Sequence, residues 1–261
     1  MRFHWMSVYD DADLDSLKKI SKLVDDCNYY SVLFVYHSLD KDFWIKCANI
    51  INKKHKFKYL IAIRTYCISP EYFVMMYRSF NEIQKNRIMF NIVAGDIHDS
   101  ESSVDNILLN QQDFNTVEKR VDYTRLWTQK VLSMLDEKDI PEIVMAGTSE
   151  KTLESVKLFA DYNLCMVDSY MKDPKMFSQI KNRMVCVALV IRNTYEEAER
   201  IVDEIDHKHQ KRWTIFGTEQ QVIEKIKHLE SIGVTDLMIR KHRNDNQDHL
   251  IHHLVKKNAV V

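Results

Sequence analysis

The feature that most constrains this chain is a repeating switch in hydrophobic period. Short runs of β-branched and aromatic residues fall at 2–7, 31–35, 59–63, 88–93, 142–145, 164–167, 184–191 and 236–239. Between them lie longer segments whose apolar residues recur at helical spacing, such as Leu14, Leu17, Ile20 and Val24, or Phe43, Cys47, Ile50 and Ile51. Ser69 followed by Pro70 marks a helix start. Thr194 with Glu197, and Thr218 with Gln221, have the spacing of capping boxes. About eight strand–helix units in roughly 250 residues is the arithmetic of a (β/α)8 barrel, a TIM barrel of parallel strands. An open doubly wound sheet is the runner-up, but its GxGxxG fingerprint is missing from a chain with only four glycines. No Pro/Gly/Ser linker or repeat interrupts the pattern, so residues 1–261 are expected to form a single domain.

Charge narrows the function classes. The 37 Lys and Arg nearly balance 38 Asp and Glu, a formal net charge of −1, which argues against nucleic acid as a partner. No run approaches the roughly 18 apolar residues that span a bilayer, which argues against a membrane partner. The opening segment carries Arg2 without a long apolar stretch and does not read as a secretory signal, so a cytoplasmic location is expected. Five cysteines with no CxxC pair are expected to be reduced and mostly buried, with no metal site. His249, His252 and His253 have helical spacing but read as part of a solvated tail helix.

In a barrel, chemistry sits where strands end, so the residues after each strand are the candidates. Gly95 and Gly147 each follow such a run, and Gly217 follows the shorter Thr214-Ile215-Phe216. Gly147-Thr148-Ser149-Glu150-Lys151-Thr152 reads either as an anion-binding helix start or as an ordinary N-cap. Lys151 stands where a capping box from Thr148 would need Glu or Gln, which favours the anion. Gly217-Thr218 carries its own capping box and reads as structural. His37 follows Tyr36 with Asp40 and Asp42 nearby, either an acid–base group or a solvated loop histidine. Arg64, with Tyr66 two residues on, reads as an anion contact beside a ring wall or as a surface ion pair; Asp168 stands on the same footing. GxSxG, HExxH, P-loop and kinase signatures are absent, and no hydrolytic triad is evident.

Three segments resemble the luciferase-like flavin monooxygenases, the family of bacterial luciferase and the alkanesulfonate monooxygenases. The first runs from Tyr59-Leu60-Ile61-Ala62-Ile63-Arg64 through Ser69-Pro70 to Arg87-Ile88-Met89-Phe90-Asn91-Ile92-Val93-Ala94-Gly95. The second is Val144 to Ser149; the third combines Phe216-Gly217-Thr218, Val222, Ile226, Gly233-Val234 and Leu237. The resemblance implies a barrel, commonly a homodimer, that binds reduced FMN, or deazaflavin F420 in some branches. With FMN, it implies monooxygenation by O2, the reduced flavin coming from a separate flavin reductase. Position by position, it implies ring contacts from the backbone of Ala94 and Gly95, supported by Asn91, and phosphate contacts from Gly147, Thr148 and Ser149. Tyr36 and His37 fall near the reactive face it implies. The chain departs from the alkanesulfonate enzymes in four places. Cys186-Val187-Ala188-Leu189 replaces a polar strand pair, and Asp40 replaces a cysteine. Val117 falls near an expected tyrosine, and the insertion after the seventh strand is short. An apolar or carrier-bound small substrate is therefore expected in place of a sulfonate. The competing expectations are a flavin-binding protein of this fold without turnover, and a barrel that binds no flavin and serves as an assembly partner.

Overall fold

A computed structural model describes residues 1–7, 14–35, 42–51, 54–95, 114, 116–204, 211–241 and 247–259; of Phe43 it describes the backbone. Nine strands are described: β1 (Arg2–Met6), β2 (Ser31–Phe34), β3 (Lys58–Arg64), β4 (Ile88–Val93), β5 (Glu142–Ala146), β6 (Tyr162–Met166), β7 (Asn182–Ile191), β8 (Thr214–Gly217) and β9 (Asp236–Arg240). The helices are α1 (Leu14–Asp26), α2 (Phe43–Ile50), α3 (Pro70–Ile83), α4 (Val117–Ser133), α5 (Glu150–Phe159), α6 (Val167–Lys172), α7 (Tyr195–Glu204), α8 (Glu219–Ser231) and α9 (Asp248–Asn258). The strand order is β6-β5-β4-β3-β2-β1-β9-β7-β8, with β6 also paired to β7. Eight strands thus close in sequence order, the topology of a (β/α)8 barrel, and all eight predicted strands are among them. The short β8, not one of the eight, pairs in parallel beside β7, from Ala188↔Thr214 to Ile191↔Gly217.

The helix starts follow local chemistry. Ser69 accepts from the Tyr72 amide ahead of Pro70, and Thr218 and Gln221 form the full reciprocal capping box. Thr194 accepts from the Glu197 amide at the start of α7. Asp42, read in the sequence as a carboxylate near His37, caps α2 by accepting from the Ile45 amide.

The chain divides into two compact units. One comprises Met1–Leu33, Lys54–Lys58 and Leu164–Val261; the other comprises Phe34–Lys53 and Tyr59–Asn163. In the first, Leu17, Ile20 and Val24 of α1 are buried as their spacing predicts, whereas Leu14 is exposed. Trp5 packs on Tyr29 and on His252 of α9. In the second, Phe90 of β4 is surrounded by Phe73, Tyr77 and Trp44, with ring centroids 4.6 to 5.5 Å away. Trp127 of α4 stacks edge-on against Phe73 and donates its indole N–H to the Ile68 carbonyl. With Phe90 committed to the helices, Asn91 faces the opposite side of β4, level with Ala62 of β3 and Val144 of β5.

Candidate functional site

In the second unit, seven of the predicted site residues, Arg64, Asn91, Ala94, Gly95, Gly147, Thr148 and Ser149, lie in or just after the neighbouring strands β3, β4 and β5. Arg64 closes β3 and donates from Nη1 to the Tyr66 hydroxyl at 2.7 Å. The Tyr66 ring lies against Gly95, just past β4, so tightly that a Cβ on Gly95 would stand 2.7 Å from the ring. Gly95 also has φ +82°. The glycine is therefore required by Tyr66 on one side, and Arg64 holds that tyrosine in place. Asn91 is 5% exposed, and its Oδ1 is buried with no hydrogen-bond partner. A lone acceptor of this kind is costly unless a ligand or water completes it.

At the end of β5, Gly147 has φ +134°, and its carbonyl accepts from the buried Asn163 amide at 2.9 Å. The helix that follows begins one residue later than the sequence suggested. Ser149, not Thr148, is the N-cap: its hydroxyl accepts from the Thr152 amide and lies 2.8 Å from the Thr152 hydroxyl. Thr148 makes no side-chain hydrogen bond to a described residue. Lys151 corrects the argument built on it. Its ammonium contacts Glu118 at 2.6 Å and Asp122 at 3.0 Å, both on α4, and these hydrogen bonds raise its pKa. That cation is spoken for.

The same helix, α4, carries a buried cation. Arg120 of α4 is 3% exposed; Nη1 donates to the Phe114 carbonyl at 3.0 Å, and Nε is buried without a partner. Among the described residues no carboxylate pairs with it. A buried guanidinium with one carbonyl partner is a poor stabiliser and a good anion receptor. The first two turns of α4 pack on the start of α5, where the Lys151 ion pairs meet and where Val121 and Thr124 face Thr152 and Ser155 across a cavity of about 20 Å³. Ala94 lines the same cavity. Sequence reasoning missed Arg120 because helical spacing alone does not distinguish a buried arginine from a solvated one.

In the first unit, Asp168 lies in the first turn of α6, with Oδ2 3.4 Å from Arg212 Nε and Oδ1 buried without a partner. A cavity of about 450 Å³ lies among α6, α7, β8 and α8, lined by Val167, Met171, Tyr195, Ile215 and Leu229. Tyr36, His37 and Asp40 lie outside the described residues.

Two polar clusters in this unit were invisible in the sequence. His4 Nδ1 lies 2.7 Å from Ser31 Oγ, and Nε2 lies 2.9 Å from Asp236 Oδ1, the order of a Ser–His–Asp triad. All three side chains are fully buried, so no substrate reaches the serine. Ser31 and Asp236 begin β2 and β9, and Arg2 completes the network with Nε 2.7 Å from Asp236. This is the N-terminal end of the strands, where fixed polar groups serve stability. The second cluster corrects the tail helix: His252 is buried, with Nδ1 3.0 Å from the Tyr29 hydroxyl, and burial lowers its pKa to about 4. The cysteines are free; Cys27, Cys47, Cys165 and Cys186 are buried and Cys67 is exposed. Burial pushes the Cys165 thiol up to about 12 and Cys186 to about 11, which keeps both protonated.

No protein-family profile matches the chain. Solved structures match nearly all of it. Riboflavin lyase with modified FMN and its substrate riboflavin is 12% identical over 97% of this chain and 90% of that one, with a TM-score of 0.76. A long-chain alkane monooxygenase is 10% identical over 98% and 90%, at 0.74. The coenzyme F420-dependent tetrahydromethanopterin reductase from Methanopyrus kandleri is 12% identical over 99% and 98%, at 0.72. At such identities the likeness is one of fold, and that fold is a (β/α)8 barrel.

Proposed function

We propose that the chain is a flavin-dependent oxidoreductase, and more specifically a monooxygenase that uses reduced FMN and O2 on a small or carrier-bound organic substrate. The observation that carries this reading is Arg120, a buried guanidinium of α4 with an unpaired Nε. Fold neighbours that are named for FMN, F420 or monooxygenation support the same class of chemistry.

The residues fit a flavin better at its phosphate than at its ring. The Glu150 and Lys151 amides at the start of α5 and the Thr148 hydroxyl supply donors, Gly147 supplies the turn, and Arg120 supplies the charge. Ser149 contributes through the cap it makes for α5. Toward the ring, Asn91 Oδ1 offers an unsatisfied acceptor suited to an N–H donor, and Ala94, three residues on, offers a small side chain. Gly95 and Arg64 act through Tyr66, which they pack and anchor. When bound, the reduced flavin supplies the electrons for oxygen activation. The protein's part is to orient substrate, exclude water and place a proton donor or acceptor, a role assigned here to His37 with Tyr36 beside it. A separate flavin reductase would deliver the reduced flavin, and a cytoplasmic homodimer is the expected setting.

Anaerobic titration of the protein with reduced FMN, with oxidised FMN and F420 in parallel, tests the reading. Saturable binding of reduced FMN supports it; preference for F420 moves the chain to the deazaflavin branch, and no flavin binding removes both. For His37, turnover with reduced flavin should fall in His37→Ala, and full turnover there would remove its role.

A further inference from the structure

The first unit holds a cavity that neither the buried His4 network nor the proposed flavin contacts use. It measures about 450 Å³ and lies among α6, α7, β8 and α8. That size falls within the roughly 300–1,000 Å³ of small-molecule sites. Its wall is mostly apolar: Val167 of α6, Ile215 of β8 and Leu229 of α8 are buried side chains, and Met171 of α6 and the half-buried Tyr195 of α7 join them. Water finds few partners against such a wall, whereas an apolar ligand gains from leaving water to meet it.

The charged and amide side chains of the wall come from α8, and they are unequally engaged. Gln221 Oε1 accepts from the Thr218 amide and so belongs to the capping box. Glu224 accepts from Gln220 Nε2 at 2.9 Å, one turn back along the helix. Lys225 differs. Its Nζ donates to the Phe216 carbonyl at 2.8 Å and lies 4.8 Å from the centroid of the Phe216 ring and 6.0 Å from that of Tyr195. These contacts hold the ammonium at the Tyr195 side of the cavity, yet a carbonyl and two aromatic faces leave its charge unneutralised. Among the described residues no carboxylate forms an ion pair with it. An ammonium carries three donors, so protons remain for a second acceptor. An apolar wall with one positioned cation and no anion opposite it matches a ligand that is apolar along its length and anionic at one end.

We propose that this cavity binds a medium-chain carboxylate, with the alkyl chain against Val167, Met171, Ile215 and Leu229 and the carboxylate on Lys225. The proposal does not rest on the flavin reading.

Calorimetric titration of the whole chain, without flavin, with octanoate, octanol and octylamine tests it. Saturable octanoate binding is expected, about tenfold or more tighter than octanol. Lys225→Met keeps the aliphatic stem and removes the charge; it should weaken octanoate about tenfold or more and leave octanol unchanged. Met171→Trp sets an indole across the cavity and should abolish binding of both. Met171 is 44% exposed and Lys225 is exposed, so neither change cuts into the core, and a thermal unfolding curve for each variant checks this. Should Met171→Trp not fold, Lys225→Met carries the test. No saturable octanoate binding, or octanoate affinity unchanged in a folded Met171→Trp, overturns the site. Octanol binding as tightly as octanoate, octanoate affinity unchanged in Lys225→Met, or tighter binding of octylamine, which would hand the head group to Glu224, overturns the carboxylate assignment. Because no flavin is present, this outcome and that of the flavin titration are separate: either reading can fail while the other stands.

Discussion

His4, Ser31 and Asp236 in one unit, and Asn91 and Arg120 in the other, are buried polar groups in opposite states of satisfaction. In the first set each charge meets a partner: Asp236 receives Arg2 and Thr235 as well as His4, and His4 spends its second nitrogen on Ser31. In the second set Asn91 Oδ1 and Arg120 Nε meet nothing among the described residues. A fold gains nothing from leaving such atoms orphaned, since each costs about 1–3 kcal/mol. Closed networks hold the barrel together, and open ones leave atoms that only a ligand or water could satisfy. The triad-like order of Ser31, His4 and Asp236 shows why accessibility has to be weighed with geometry.

If that contrast is right, breaking the closed network should cost most. Asp236→Ala leaves Arg2 and His4 without their shared carboxylate and should destabilise the chain by about 3–5 kcal/mol in urea unfolding. Burial alone would raise the Asp236 pKa, but bonds from His4, Thr235 and Arg2 hold it below its ordinary value. Its contribution is therefore present above the unfolded value of 3.8 and is lost as pH falls through the lower folded one. Asp236→Asn should flatten that last acid step.

His252 should matter at milder acidity. It is neutral in the fold down to about pH 4, while the unfolded chain takes up a proton near 6.5. Stability is thus full above 6.5 and declines by roughly 3 kcal/mol as pH falls to about 4. His252→Leu should remove this slope, which unfolding measured at pH 7, 5.5 and 4.5 would reveal; an unchanged slope would show that His252 is not buried neutral.

The open set should respond in the opposite sense. Arg120→Met should leave stability within about 1 kcal/mol or raise it, because a poorly paired buried charge is removed, yet it should weaken reduced FMN binding by about tenfold or more. The smallest effect is expected at Asn91→Leu, near neutral in thermal unfolding, with a weaker loss of flavin affinity. A large loss of stability at either position would make these groups structural and dissolve the contrast.

Most of the fold was legible because it is written in local periodicity. Eight strands emerged from their apolar runs, and Ser69, Thr194 and Thr218 announced their helices through a side chain acting on its own backbone. β8 escaped because Thr214–Gly217 is too short to show a period and forms beside β7. The candidate site was legible in its backbone, as in the turn at Gly147 after β5, and illegible where it depends on burial. Lys151 and Arg120 look alike in sequence, yet one is tied to two carboxylates and the other is enclosed. His4 and Asp236 stand 232 residues apart and His252 and Tyr29 stand 223 apart, distances at which sequence spacing carries no signal.

The most direct measurement of the central claim is the affinity of reduced FMN for the native chain, for Arg120→Met and for the Thr148→Ala, Ser149→Ala double variant, each with its thermal unfolding curve. The account predicts saturable binding by the native chain, a loss of about tenfold or more in Arg120→Met at unchanged stability, and a loss in the double variant. Binding indifferent to Arg120, or no binding of any flavin, would contradict it.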